Sequence, residues 1–384
     1  MMYMVPTLRL VDYFHFYIVT LPENLFFILF LCLFAFSFAC HVFIYVLVNI
    51  KLADYTDSFA KKQQDRIRKA KIALLGVLLA SLVIFFVISA IAIINEGVDK
   101  FVSTLLSIKL GYYGLALLCV LLSDIVGFPK WDLFLRKLKI HLPRRRNFLI
   151  YLSMFAMDIT PGRWGRAAVA YTVNRQTNTK FGQTFPAVVA DIFTDFLGFI
   201  VVALATAFMV HKYSEISITI STLLLIPFVF IFYEKPFKYL KKRLYKYKRL
   251  KGFFNIGDTY FESKKMLDIG SYAYAMLFTV PAMIFSGLAL YFVILSFGIN
   301  MSIAYLPTLL FVYTSALLLG MVTGVPGTLG VTDAALLGYL ITFFGPLGVT
   351  FGMAALITIF FRIASIWFEE LVATGVLAYT MRYW

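Results

Sequence analysis

DITPGRWGR, residues 158–166, sets a proline, two glycines and two arginines where an apolar run has barely begun and soon resumes. The run before it, 147–158, is about a dozen residues long, short of the ~20 needed to cross a bilayer core. A second element of the same kind, VPGTLGVTD at 325–333, puts Pro326 165 positions after Pro161. Proline withholds a backbone donor and glycine reaches positive φ, so Pro161-Gly162 and Pro326-Gly327 free backbone polar groups. At membrane depth such breaks persist only where protein or a wet cavity satisfies those groups. Two breaks at corresponding places therefore predict an internal repeat built around a polar site.

Outward from the breaks the composition agrees. Of 384 residues, 61% are hydrophobic, 18% aromatic and 14% charged, with a mean hydropathy of +0.86; soluble domains are about a quarter charged. The fold class is all-α, a polytopic helical membrane protein without room for an appended soluble domain. The net charge of +15 lies in loops between apolar segments, which is the positive-inside pattern rather than a nucleic-acid face. Cys32, Cys40 and Cys119 fall inside apolar helices and read as packing residues, not a disulfide framework. No cleavable signal peptide is evident, since the first twenty residues hold only Arg9 as a basic residue.

Three basic stretches order the topology. Residues 51–71 carry seven Lys/Arg against three Asp, 130–146 carry seven against Asp132, and 234–265 carry eleven against three acids. All are placed in the cytoplasm. Full spans are expected at 24–50, 72–94, 110–128, 184–210, 216–233, 268–297 and 349–379, which brings the C-terminus inside. Residues 147–183 and 303–344 form hairpins that re-enter from opposite faces around the two breaks, an inverted repeat; either hairpin reads equally well as two ordinary short spans. A single transmembrane domain then divides into three N-terminal spans (1–147), a first repeat (148–233), a basic loop (234–265) and a second repeat (266–384). The tract KYLKKRLYKYKRLK either lies on an anionic inner leaflet or is a solvated topogenic loop.

The residues that carry chemistry are few. A helix resuming after each break offers free N–H groups and a positive dipole end to a phosphate; the alternative is a packing kink, helped by Gly320 and Gly324 at four-residue spacing. Arg163 and Arg166 either fork a phosphate or snorkel to the interface. Asp158 orients one of them or caps a helix. Asp191, Asp195, Asp333 and Arg362 each sit inside an apolar segment, where an ionised group costs several kcal/mol unless paired or hydrated. Asp191 and Asp195 share a helix face at a spacing of four. An internal Asp–Arg network lining a polar cavity explains them together, and a purely structural ion pair is the alternative. Glu369, Glu370 and His41 read as interfacial or packing residues. HExxH, CxxC, GxxxxGK and GxSxG are absent, so metalloprotease, ATPase and serine-hydrolase chemistry, and any metal or cofactor, are not expected.

These residues resemble the transmembrane, flippase-like domain of the lysylphosphatidylglycerol synthase family. Thr160, Pro161, Gly162, Arg163 and Gly165 match the first Pro-Gly-Arg-x-Gly element, with Arg166 where the family often has an acid. DIFTD resembles its acidic element, Asp195 matching, Asp191 replacing Glu and Ile192 replacing Arg. Pro326, Gly327, Gly330 and Val331 match the second element, with Asp333 for Glu, and Arg362 looks like the arginine of the final helix. The resemblance implies a stand-alone member that handles a lipid head group and moves a phospholipid or polyprenyl-phosphate-linked glycan between leaflets of the cytoplasmic membrane. The substrate-binding set is then Pro161, Gly162, Arg163, Arg166, Asp191, Asp195, Pro326, Gly327, Gly330, Asp333 and Arg362. Implied partners are membrane lipids, anionic phospholipids at the basic loops, and a lipid-modifying enzyme or glycosyltransferase. A membrane-embedded transferase acting through Asp191 and Asp195, and a lipid-binding scaffold, are the competing functions.

Overall fold

The apolar run that begins at Leu110 does not stop at the Phe128-Pro129 boundary: it continues through Pro129 as one helix to Lys137. Tertiary bonds hold the extra turns. Trp131 is fully buried and donates Nε1–H to Asn147 Oδ1 at 2.9 Å, and Asn147 Nδ2–H donates to Asp132 Oδ1 at 2.7 Å. Lys130, expected in a cytoplasmic loop, is therefore on a helix and only 3% exposed.

The structure, a computed structural model, describes residues 97–158, 161–210, 234–245, 251–322, 326–328 and 330–383, with Val87, Ala90 and Ile94 besides. All belong to one compact unit, 53–384. The expected spans 24–50 and 216–233, and all but three residues of 72–94, lie outside the described residues. In chain order the helices are α1 (Val98–Leu106), α2 (Leu110–Lys137), α3 (Arg144–Met154), α4 (Ala168–Thr177), α5 (Phe181–Val210), α6 (Glu234–Leu244), α7 (Lys251–Lys264), α8 (Ile269–Ser296), α9 (Leu306–Val322), α10 (Val331–Phe344), α11 (Phe351–Arg362) and α12 (Phe368–Tyr383). Short 3-10 turns stand at Phe155–Met157, Pro161–Ala167 and Pro326–Thr328, and a π-helical turn, Ile363–Trp367, joins α11 to α12. No strand occurs among the described residues.

Among the described residues five helices are long and apolar enough to cross a membrane: Leu110–Lys137, Phe181–Val210, Ile269–Ser296, Ile303–Met321 and Phe351–Thr380. Four coincide with expected spans. The fifth, read from sequence as one limb of a hairpin, has the length of a span. Around the first break the helices are much shorter: α3 has 11 residues and α4 has 10, about 15 Å each at 1.5 Å per residue, half a bilayer core. The two limbs pack side by side, and Arg146 at the start of one donates to Gln176 Oε1 near the end of the other at 3.2 Å. Their outer ends thus meet.

Helix α5 is the most enclosed of the long helices, while α2 turns much of its surface, including Leu115, Leu118 and Ile125, outward. Small residues let the helices approach. A Cβ on Gly198 of α5 would lie 2.5 Å from Thr279 Cγ2 of α8, and one on Gly320 of α9 would lie 2.7 Å from Thr328 Cβ beside the second break. Ser123 of α2 donates to the Ala282 carbonyl of α8 at 2.9 Å, a polar tie between two apolar helices. The stretch 234–265 is not a plain loop: α6 and α7 pair through Phe237 and Phe261 and through Lys241 to Asp258 at 2.6 Å. Helix α7 lays Tyr260 and Phe261 against Val189 of α5. Burial there pushes the Tyr260 phenol above its usual range.

Candidate functional site

The first break delivers its arginines into the middle of the protein. After Pro161 the chain makes a 3-10 turn that runs directly into α4. Within it Arg163 takes a left-handed backbone, φ 60°, a conformation that costs a non-glycine residue about 1–3 kcal/mol and collects at functional sites. Arg166 is 1% exposed, so it does not snorkel. It forks Asp158, Nε to Oδ1 and Nη2 to Oδ2 both at 2.5 Å, while Nη1 donates to Asp191 Oδ2 and Asp195 Oδ2 at 2.9 Å each. Its guanidinium lies 4.8 Å from the ring centroid of Phe155. Lys130 reaches in from α2 to Asp191 Oδ1 at 3.2 Å and forms an ion pair with Asp195.

Arg163 is held more loosely. It is a quarter exposed and meets Asp195 Oδ2 at 3.1 Å and Asp158 Oδ2 at 3.4 Å, oxygens that Arg166 also uses. Phe199 of α5 lies under its guanidinium, 5.7 Å to the ring centroid. Three cations, Lys130, Arg163 and Arg166, therefore neutralise three carboxylates, Asp158, Asp191 and Asp195. The i, i+4 spacing of Asp191 and Asp195 on α5 points both at the break, as that spacing requires.

The second break is wired with opposite polarity. Gly327, Thr328 and Gly330 all have positive φ, 61°, 56° and 81°, and glycine makes two of the three positions unstrained. Asp333 Oδ2 accepts the Gly330 N–H at 2.8 Å, so the donor at the start of α10 is already engaged. Its other oxygen accepts from Arg362 Nε at 2.6 Å, and Arg362 Nη2 donates to the Gly327 carbonyl at 3.2 Å. At the first break Arg166 is on the break and Asp195 on the following long helix, with Asp158 beside the break; at the second Asp333 is on the break and Arg362 on the following long helix. Both pairs, Arg166–Asp195 and Asp333–Arg362, are separated by 29 residues. The 3-10 turns of the two breaks pack against each other.

Between them lies a cavity of about 150 Å³. Asp158, Arg163, Arg166 and Asp195 line one side, Gly327, Thr328 and Arg362 another, and Ser286 and Tyr313 part of the rest. Of the eleven sequence-predicted site residues five line it, Arg163, Arg166, Asp195, Gly327 and Arg362; Asp191 and Asp333 hold Arg166 and Arg362 in turn. Pro161, Gly162 and Pro326 stand within the two 3-10 turns. Three further acids line the cavity: Asp124 of α2 and Glu369 and Glu370 of α12. The glutamates are not at the end of a span, because α12 continues to Tyr383, and Glu370 is 1% exposed. Lys130 was missed because Pro129 and the neighbouring charges imitate a loop; Asp124, a lone acid within LLSDIVGF, carries the same signal that marks Asp191. Among the described residues no group of His, Cys, Asp and Glu is arranged to hold a metal ion.

The model of the lysylphosphatidylglycerol synthase TM region matches residues 73–373, which contain every residue of the site. A search of curated proteins found no match.

Proposed function

This chain belongs to the lysylphosphatidylglycerol synthase transmembrane-region family, membrane proteins connected with lipid modification or flipping, and we propose that it moves a phospholipid or polyprenyl-phosphate-linked glycan between leaflets. The head-group phosphate enters the cavity between the two breaks while the tails stay in lipid. The observation that carries the reading is Arg163: it faces the cavity, keeps a left-handed backbone, and shares both of its carboxylate oxygens with Arg166. A phosphate can take Arg163 without stripping Asp158 or Asp195 of every cation, since Arg166 and Lys130 stay in place. Arg362, already tied to Asp333 and Gly327, positions the opposite wall rather than reaching out.

The short limbs α3 and α4, joined at their outer ends, support a first hairpin that dips from the cytoplasmic face, and the polarity reversal between the repeats supports an inverted pair. On the same side the α6–α7 hairpin turns Lys235, Lys238 and Lys242 outward, a basic face suited to anionic phospholipid.

Proteoliposomes with fluorescent phosphatidylglycerol test the reading. A charge-assisted hydrogen bond is worth about 1.5–3 kcal/mol, so Arg163→Ala should slow translocation by roughly 10- to 100-fold in a protein that folds normally. Wild-type rates in that variant for every lipid tried would remove the phosphate-binding role of Arg163. Mass spectrometry of the same vesicles separates translocation from transferase chemistry: unmodified lipid supports the former, a covalently altered product the latter.

A further inference from the structure

The pairs described above close on themselves: Lys130, Arg163 and Arg166 balance Asp158, Asp191 and Asp195, and Arg362 balances Asp333. Asp124 is outside that balance. It sits in the apolar α2 run, is 9% exposed and lines the cavity, yet among the described residues its carboxyl makes no hydrogen bond and no ion pair. Glu369, on the cavity wall from α12, likewise has none. An ionised carboxylate so placed is strongly disfavoured, and the neutral acid is not. The translocation reading leaves both groups without a task.

Charge balance supplies one. A phosphodiester is an anion, and its arrival at Arg163 adds a negative charge to a neutral buried site. With Arg163 engaged by the phosphate, Lys130 and Arg166 still touch all three carboxylates but balance only two, so the group as a whole lacks one positive charge.

We propose that the protein carries a proton with each lipid phosphate, and that Asp124 delivers it to the carboxylate Arg163 leaves. The O–H bond of Asp124 breaks as one forms on Asp195 or Asp158, and Asp124 regains a proton from water on the loading side. When the phosphate departs, Arg163 returns to its carboxylate and the proton is released to water on the far side. One anion and one proton cross together, without net charge movement.

The groups that line the cavity with Asp124 fit this route. They are Lys130 on its own helix, Tyr151 on α3, Asp158, Arg163 and Arg166 on the break, and Asp195 on α5. From α8 and α9 come no charged groups, only neutral side chains such as Thr279, Ser286 and Tyr313, and from the final helices Arg362, Glu369 and Glu370. A proton leaving Asp124 therefore has Asp158 and Asp195 as acceptors lining the same cavity.

The proposal rests on the translocation reading, and one experiment separates the two. The full-length protein is reconstituted in phosphatidylcholine vesicles with trace fluorescent phosphatidylglycerol, a pH dye inside, and the membrane voltage clamped with potassium and valinomycin. With an acidic exterior, label should accumulate in the inner leaflet beyond its even distribution, and the lumen should acidify in step with it. Asp124→Asn should abolish both the excess accumulation and the lipid-dependent acidification, and Asp124→Glu should restore them. Label that moves but reaches the same distribution with and without the gradient overturns proton coupling and leaves translocation standing. Retention of the acidification by Asp124→Asn overturns the role of Asp124. Label that does not move in the parent protein under either condition overturns both. The gradient test on the parent protein needs no variant, so misfolding of Asp124→Asn cannot mask the result.

Discussion

Replacing Arg166 by methionine tests the site most severely, because its cost follows from its contacts. The side chain is 1% exposed and gives two hydrogen bonds to Asp158 and one each to Asp191 and Asp195. Without it Lys130 and Arg163 face three carboxylates, one of them uncompensated inside the protein. Breaking a buried ion pair from one side costs about 3–5 kcal/mol. Arg166→Lys keeps the charge but loses the fork to Asp158, so roughly half that loss is expected. The double variant Arg166→Met/Asp158→Leu leaves Lys130 and Arg163 against Asp191 and Asp195, again neutral, and should recover most of the stability. Unfolding of purified protein by SDS in mixed micelles measures all three. If Arg166→Met lies within about 0.5 kcal/mol of the parent, or if adding Asp158→Leu makes it worse, the buried network does not stabilise the fold as its geometry says.

Three further expectations follow from single contacts. Arg362→Ala strips Asp333 of its cation and frees the Gly327 carbonyl, so thermal inactivation should show a loss of about 3 kcal/mol or more. Gly320→Ala forces a Cβ to 2.7 Å from Thr328 Cβ and should cost about 1–3 kcal/mol by overpacking, read as a lowered unfolding midpoint. Lys235, Lys238 and Lys242 replaced together by Gln should reduce the number of phosphatidylglycerol molecules retained in native mass spectrometry, with the unfolding midpoint unchanged.

Much of the site was legible because its signals are local. A proline beside a glycine in an apolar run, two acids four apart, and one arginine well inside the final span each break a rule that the bilayer enforces. What sequence could not supply was the partner of each charge. Arg166 stood out as a reversal of the family pattern, yet only the approach of α5 and the turn at Met157 brings Asp158, Asp191 and Asp195 around one guanidinium. Lys130 was hidden for the opposite reason: hydropathy ends the span at Pro129, whereas Trp131 and Asn147 extend the helix. Nor could sequence show that Asp333, read as a ligand-orienting acid, also accepts the Gly330 N–H at the second break.

The ion pairs around the two breaks run with opposite signs, and that has a consequence for movement. Each half is neutral alone: the contacts of Lys130, Arg163 and Arg166 end on Asp158, Asp191 and Asp195, and those of Arg362 on Asp333. Among the described residues no ion pair crosses from one break to the other. The breaks touch, but parting them exposes no unpaired charge, whereas breaking either half does. The distinction is measurable by moving charge at constant total. Exchanging Arg362 with Asp333 keeps the second half neutral and should be tolerated at the level of a distorted ion pair. Exchanging Arg166 with Asp333 also preserves the total, but leaves the first half with two cations and four carboxylates and the second with two cations and no acid. If both exchanges unfold at the same midpoint, the charges act as one pool; a much lower midpoint for the second exchange means that each break carries its own balance.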